Sequence, residues 1–440
     1  MSSSLSVSAA PPEPAPEDAA PVAPTVSAQP VTPPPAAPGA PVLDRVLPCG
    51  LRVLVAQDDS LPVAAVVLAV ERGSEDDPSE LPGLHHALAY QLLQGNRTMP
   101  PGGIQSMVQD GGGIAYLATG PAQIRFESLV PVSLLADVIE AEAERFIAPT
   151  VTEALWKESL SAARRDIPRK RLAPRVALAA AHGVRGLDHD GRAVPPALGE
   201  LEVRAVQTRL DALTRYEQAT LVVVAPTERE TTMATIEAAF ADHPARPRSV
   251  AKRVVAPTAT VVKSKGAKGN TFVWALPGTP AARLWGEAWC EALSRQRRAK
   301  SEPKTSQVRC AFEDDPRRPA VTVRVRAPED PAGLLAARFE RLADGGRLLQ
   351  AQRRRMERRN DTELARPLSL ARRLSAADPH AAPEVPATRT LSGAVALDAS
   401  PPALADLLPL EAAVRVVADG PGPRSRTAPQ APAKTAEDER

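Results

Sequence analysis

Aromatic residues make up only 3% of this 440-residue chain, and there are just three cysteines, Cys49, Cys290 and Cys310. Widely spaced and odd in number, they cannot build a disulfide framework or a CxxC metal knuckle, and they leave the redox compartment open. An excess of one charge is missing too. Fifty-four Lys+Arg against 52 Asp+Glu leave +2 at pH 7, without the basic surplus of a nucleic-acid-binding domain. No stretch approaches the ~20 apolar residues of a membrane span, since the most apolar run, Leu61–Val70, stops at Glu71 and Arg72. Nor is an export signal readable, because Leu5–Ala10 is too short for a signal core and meets Pro11 at once. Cytoplasm is therefore the default expectation, with the periplasm open if the true start codon lies upstream. Phosphate-binding and hydrolase signatures are missing as well: Gly111-Gly112-Gly113 lacks the lysine and hydroxyl of a phosphate loop, and no G-x-S-x-G elbow occurs.

What is present is a globular composition, 43% hydrophobic and 24% charged, long enough for two or three folding units. Proline is about twice its usual ~5% share, at 47 residues, and a dozen of these fall in 1–41 among Ala, Ser and Val. That segment has no periodic apolar face and reads as a disordered tether. Residues 421–440 read as a frayed tail.

Between the ends, strand-like and helix-like segments alternate. Leu51–Val55 and Val63–Val70, separated by the turn-forming Asp58-Asp59-Ser60, read as a hairpin. Leu84–Leu93, Ala136–Ile147 and Val151–Arg165 carry helical patterns, Thr220–Val224 reads as a buried strand, and Glu228–Phe240 as the helix after it. The ending Leu213-x5-Ala219-Thr220-Leu221-Val222-Val223-Val224 recurs 194 residues later as Leu407-x5-Ala413-Val414-Arg415-Val416-Val417-Ala418. Glu144-Arg145-Phe146 likewise has a counterpart at Glu340-Arg341-Leu342. The chain reads as a duplicated α+β unit, 42–245 and 250–420, each half a mixed or antiparallel sheet covered by helices and joined near Arg246–Lys252.

The most informative stretch is Leu47-Pro48-Cys49-Gly50-Leu51-Arg52-Val53, then Arg72-Gly73-Ser74-Glu75-Asp76-Asp77-Pro78, then Pro82-Gly83-Leu84-His85-His86-Ala87-Leu88-Ala89-Tyr90. It resembles the N-terminal domain of the pitrilysin/insulinase-type zinc peptidases, the inverzincins. There an L-x-N-G-L-R-V strand, a G-S-x-x-E turn and a G-x-A-H-x-x-E-H helix follow in the same order. The resemblance extends over essentially all of 42–420 and implies the processing-peptidase-like duplicated fold. In H-x-x-E-H the two histidines share a helix face and bind Zn²⁺, and the glutamate is general base to the metal-bound water. Carried onto this chain, the resemblance puts the first ligand at His86, the base at Ala89, the second ligand at Tyr90 and the distal third ligand at Arg165. A guanidinium cannot coordinate a cation, and of the residues near that place only Asp166 is a ligand type.

Other family features depart in the same direction. Ala115-Tyr116 stands where the family has an asparagine-alanine pair on the strand that binds substrate backbone. Of the family's substrate-holding arginine and tyrosine, only Arg298 has a counterpart, within the basic loop RQRRAKSEPK. His85 points about 100° away from His86 on a helix and cannot share its metal. The other histidines stand alone, apart from a loose grouping of His182 and His189 with Asp188 and Asp190, and the Arg-rich Gln352–Arg359 reads as a solvated helix face. The expected function is a non-catalytic subunit or regulator that pairs as a heterodimer with an active zinc peptidase in peptide binding or processing. It would need no cofactor, with zinc only if the family function persists. Two alternatives stand beside it: an active zinc metalloendopeptidase using His86, Tyr90 and Asp166, and a stand-alone peptide-binding scaffold.

Overall fold

A computed structural model describes residues 41–166, 175–183, 194–250, 261–264, 270–276, 280–313, 318–327, 329–344, 367–375, 388–390, 408 and 413–418. The proposed tether up to residue 40, the tail 421–440, the Arg-rich stretch 352–359, His189 and His380 lie outside the described residues, and the description below concerns the unit Pro35–Arg440. Among the described residues no helix is long and apolar enough to cross a membrane.

Two sheets organise the fold. The first contains β1 (Pro41–Val46), β2 (Arg52–Gln57), β3 (Val63–Val70), β4 (Ile114–Thr119), β5 (Ile124–Pro131) and β6 (Ala219–Ala225). The second contains β7 (Val261–Ser264), β8 (Asn270–Ala275), β9 (Gln307–Glu313), β10 (Ala320–Arg326) and β12 (Val414–Ala418), while β11 (Thr388–Thr390) joins the first. Their orders are β11-β1-β2-β6-β3-β5-β4 and β7-β12-β8-β10-β9. The last five strands of the first sheet match the second one for one. Each set opens on a parallel pair, β2 with β6 and β7 with β12, and continues through antiparallel neighbours. The repeated apolar ending is the second strand of each matched set, β6 beside β2 and β12 beside β7.

The place of β6 overturns the expected hairpin. β2 and β3 are both strands, but they do not pair: β6 lies between them, parallel to β2 and antiparallel to β3. The reason lies in their composition. β3 and β6 are buried along nearly their whole length on both faces, so they belong in the middle of a covered sheet, where near-continuous apolar runs are stable.

Helices cover the faces. In the first half these are α1 (Leu84–Gln91), α2 (Gly103–Asp110), α3 (Leu135–Glu144), α4 (Glu153–Arg165), α5 (Arg175–His182), α6 (Pro196–Gly199), α7 (Val203–Leu213) and α8 (Arg229–Ala239). The second half contributes α9 (Pro280–Arg295), α10 (Pro331–Asp344) and α11 (Pro367–Ser375). Most pack on their own sheet, but α5 and α11 are exchanged. Ala177, Leu178 and Ala181 of α5 pack on Val273 and Ala320 of the second sheet, and Leu370 and Ala371 of α11 pack on Val67, Val222 and Val224 of the first. Cys290 on α9 and Cys310 on β9 are joined in a disulfide, and Cys49 is free. The cysteines therefore hold one covalent link that their spacing along the chain did not announce.

The two halves also meet through charge. Glu75 and Arg318, with side chains 2% and 6% exposed, form a two-pronged pair at 2.9 and 3.2 Å. Beside them His182, at the end of α5, is 2% exposed, and its Nε2 has no hydrogen-bond partner among the described residues. Burial and the Arg318 cation push its pKa from 6.5 down to about 4, against a hydrogen bond with the Arg318 backbone that acts in the other direction. Above pH about 6.5 the imidazole is neutral in the folded and unfolded chain alike. As pH falls from there the unfolded chain takes up a proton that the folded chain refuses until about pH 4, so stability is lost across that window, up to about 3 kcal/mol. His182→Gln should remove this component. In urea titrations at pH 7 and pH 4.5, the variant should lose about 2 kcal/mol less than the parent on acidification; an identical loss in both would show that His182 is not the group responsible.

Candidate functional site

The region picked out by the His86 motif is built from three elements, α1, the end of β4 and the end of α4. The turn before α1 sets the geometry. Gly73 lies so close to the backbone of Gly120 and Pro121 that a Cβ there would overlap their carbonyl groups, and Gly83 enters the helix at φ +82°, which favours a residue without a Cβ. Asp77, from the same turn, caps the helix. Its carboxylate accepts the backbone N–H of Gly83 at 2.7 Å and of His85 at 2.9 Å. The His85 ring folds onto the same carboxylate, with Nδ1 2.7 Å from Oδ1. His85 is thus part of the cap and turned away from its neighbour.

His86 is fully buried. Its Nε2 lies 3.2 Å from the Ala163 carbonyl oxygen on α4, 77 residues on, and its Nδ1 lies 2.6 Å from Thr119 Oγ1 at the end of β4. A carbonyl only accepts, so Nε2 carries a proton and donates to Ala163. Neither nitrogen presents a lone pair to open space. The same carbonyl accepts the Asp166 N–H at 3.2 Å, so it serves both the helix end and the ring.

The remaining motif positions surround this bond. Ala89 is completely buried and offers only a methyl group. Tyr90 is half-buried, its ring edge-on to His86 with centroids 5.2 Å apart. Arg165 is exposed in the last turn of α4, where a cation is favoured by the helix dipole, and donates to Ser161 Oγ at 2.9 Å. Asp166 is exposed at the helix end. The structure therefore brings α1 and α4 together at the spacing the motif implies. They are joined through a backbone carbonyl, with the Arg165 and Asp166 side chains on the exposed end of α4.

Ala115-Tyr116 lies on β4, the last strand in the order of the first sheet, and Ile114 and Tyr116 are 48% and 46% exposed. The guanidinium of Arg372, from the exchanged helix α11, sits 5.7 Å from the Tyr116 ring centre and binds the buried Glu127 at 2.6 Å. Arg298 is exposed beyond α9, its guanidinium donating to the Glu302 carbonyl at 2.5 Å. Glu302 is itself anchored by Arg338 at 2.7 Å and by Arg341. Burial raises the pKa of its carboxyl, but the two guanidinium groups outweigh that and hold it below the usual range. The contact of Arg298 is local to its own loop. Thr119, Asp77 and Arg372 were not legible as site residues, since a lone hydroxyl or carboxylate carries no spacing signature. Of the loose histidine grouping, only His182 is described, and it belongs to the junction of the halves.

No family model matches the chain. A stretch of 114 residues is 31% identical to an insulin-degrading enzyme of Drosophila melanogaster, covering 26% of this chain and 12% of that enzyme. Among solved structures, a protease from Helicobacter pylori superposes with a TM-score of 0.64 at 12% identity, over 86% of this chain and 99% of that one. An M16-like peptidase from Alicyclobacillus acidocaldarius gives 0.60 at 14% identity, over 86% and 98%. The resemblance to the pitrilysin/insulinase-type peptidases is one of sequence and of fold. The duplicated two-sheet architecture is theirs, and the aligned stretch spans only about an eighth of the insulin-degrading enzyme.

Zinc is the metal this resemblance implies, and the residues at its place do not fit it. One imidazole has both nitrogens engaged, the next position is a phenol, and the distal one is a guanidinium, which repels a cation. Among the described residues no group of three or more His, Cys, Asp or Glu side chains is placed to hold a metal ion. His86 works instead as a tie between two helices and a strand. Thr119→Val should leave Nδ1 buried without its partner and lower stability by about 1–3 kcal/mol, and His86→Ala should cost about 2–4 kcal/mol through the cavity and the orphaned carbonyl. Urea unfolding at pH 7 measures both, and a Thr119→Val chain as stable as the parent would mean that the hydroxyl contributes nothing.

Proposed function

We propose that the chain is a non-catalytic pitrilysin/insulinase-like subunit that binds peptide and partners an active zinc peptidase. The observation that carries this reading is the hydrogen bond from His86 Nε2 to the Ala163 carbonyl. Where a metal would be held between two helices, the helices are held by each other. Ala89 supports it further, because a methyl group cannot take a proton from water. A shape that presents peptide-binding surface remains. β4 ends the first sheet with Ile114 and Tyr116 exposed, and an extended peptide laid along it would pair backbone to backbone while alternate side chains meet those two residues. The partner would supply the whole zinc site: the metal, all of its ligands and the base.

Two measurements on the purified chain test this. Inductively coupled plasma mass spectrometry should find no stoichiometric zinc, and peptide substrates should remain uncut. About one zinc per chain, removed by a chelator together with peptidase activity, would establish the unusual-ligand enzyme instead. Co-expression with a homologue carrying an intact H-x-x-E-H should give a heterodimer by light scattering. Separate monomers at micromolar concentration, with the homologue's activity unchanged, would leave the stand-alone peptide-binding scaffold. Combining Ala89→Glu, Tyr90→His and Arg165→Glu should raise zinc occupancy above that of the parent, since it replaces a methyl, a phenol and a guanidinium by two ligands and a base.

A further inference from the structure

We infer that the Cys290–Cys310 disulfide is a structural staple on the second half, and that the chain therefore does its work in an oxidising compartment. The two residues belong to different elements. Cys290 lies on α9 and is 5% exposed, and Cys310 sits within β9, opposite Val323 of β10. Their Cα atoms are 5.3 Å apart, inside the ~4.4–6.8 Å range that a disulfide spans without moving the backbone. The two cysteines line a small cavity together with Trp289, Leu293, Val321, Phe339 and Leu342, so their surroundings are mainly apolar. A thiolate reductant must reach a sulfur atom to open the bond; Cys290 is closed off by this packing, and Cys310 is only partly buried on the outer strand β9, so the approach is confined to the β9 side.

The remaining cysteine cannot scramble the link. Cys49 lies in the core of the first sheet, and burial pushes its thiol pKa up, so it supplies little attacking thiolate. Formation needs a partner. Two thiols give up two protons and two electrons to a donor disulfide, through a mixed disulfide, and the donor leaves as two thiols. Oxidising compartments hold such donors in excess, whereas reducing ones return exposed or nascent pairs to thiols.

The staple also has a specific load. It closes a loop with a sequence separation of 20 residues, which contains the end of α9, the basic stretch with Arg298, and Glu302. The opposite side of that loop is held by Arg338 and Arg341 of α10 through Glu302. A helix on one side and an ion-pair clamp on the other thus tie one exposed loop and the outer strand β9 in place.

The bond should be found intact in the cells that make the protein. Acid quenching, alkylation of free thiols and peptide mapping should recover a linked Cys290–Cys310 peptide with Cys49 as the thiol. Reduction of the purified full chain should lower its melting temperature by roughly 5–10 °C and speed tryptic cleavage in the basic loop by on the order of tenfold. Cys49→Ser should keep both responses, and Cys310→Ser should melt at the lowered temperature with or without reductant. The inference is overturned if Cys290 and Cys310 are both alkylated in quenched cells, or if reductant leaves the melting temperature of the wild-type chain unchanged, a comparison that needs no variant to fold.

Discussion

The constraint on which the fold depends is that the central strands of the first sheet must be covered on both faces. Val55, Val66, Leu68, Leu221 and Val223 point into one core and Leu54, Val67, Val222 and Val224 into another, all at most 2% exposed. Each such side chain contributes about 1.5–3 kcal/mol when removed from water. Among the described residues, the helix packed on the second of these faces is α11, from the second half. The debt is mutual, because α5 from the first half covers Val273 and Ala320 of the second sheet. Among the described residues, each sheet is covered in part by a helix of the other half.

Charge enforces the same exchange. Glu127, 2% exposed, is held by Arg125 of its own strand and by Arg372 of α11. Glu75 is held by Arg318 across the junction. A buried pair of this kind adds little net stability, since desolvation offsets the Coulomb gain, but an unmatched partner would cost about 3–5 kcal/mol. Such pairs reject any other seating of the crossed helices. Gln123 adds a neutral counterpart, its side-chain amide donating to the Ser375 carbonyl at the end of α11 at 2.9 Å.

The α1–α4 seam follows the same logic on a smaller scale. In a zinc peptidase of this fold the seam would be closed by a cation and three ligands. Here a donor on α1 meets an acceptor in the backbone of α4, and β4 is drawn in through Thr119. Arg165 then stands at a helix C-terminus without a cation to oppose it. A hydrogen bond asks for neither a base nor a third ligand, so Ala89 and Arg165 are structurally acceptable where a metal site would forbid them.

The sequence by itself determined the elements and their repeat. Apolar periodicity located α1, α3, α4, α8 and β6, and the recurrence of a β-branched ending predicted two like sheets, because burial is a local demand written in residue type. The ordered motif around His86 likewise pointed to the fold. Tertiary structure alone decided the pairing of β2 with β6 in place of a hairpin, the exchange of α5 and α11, the meeting of Cys290 with Cys310, and the partners of His86. Each of these joins residues far apart in the chain through a backbone carbonyl, a shared hydrophobic face or a single thiol pair. Such groups are present at nearly every position, so only the packed fold selects which of them meet.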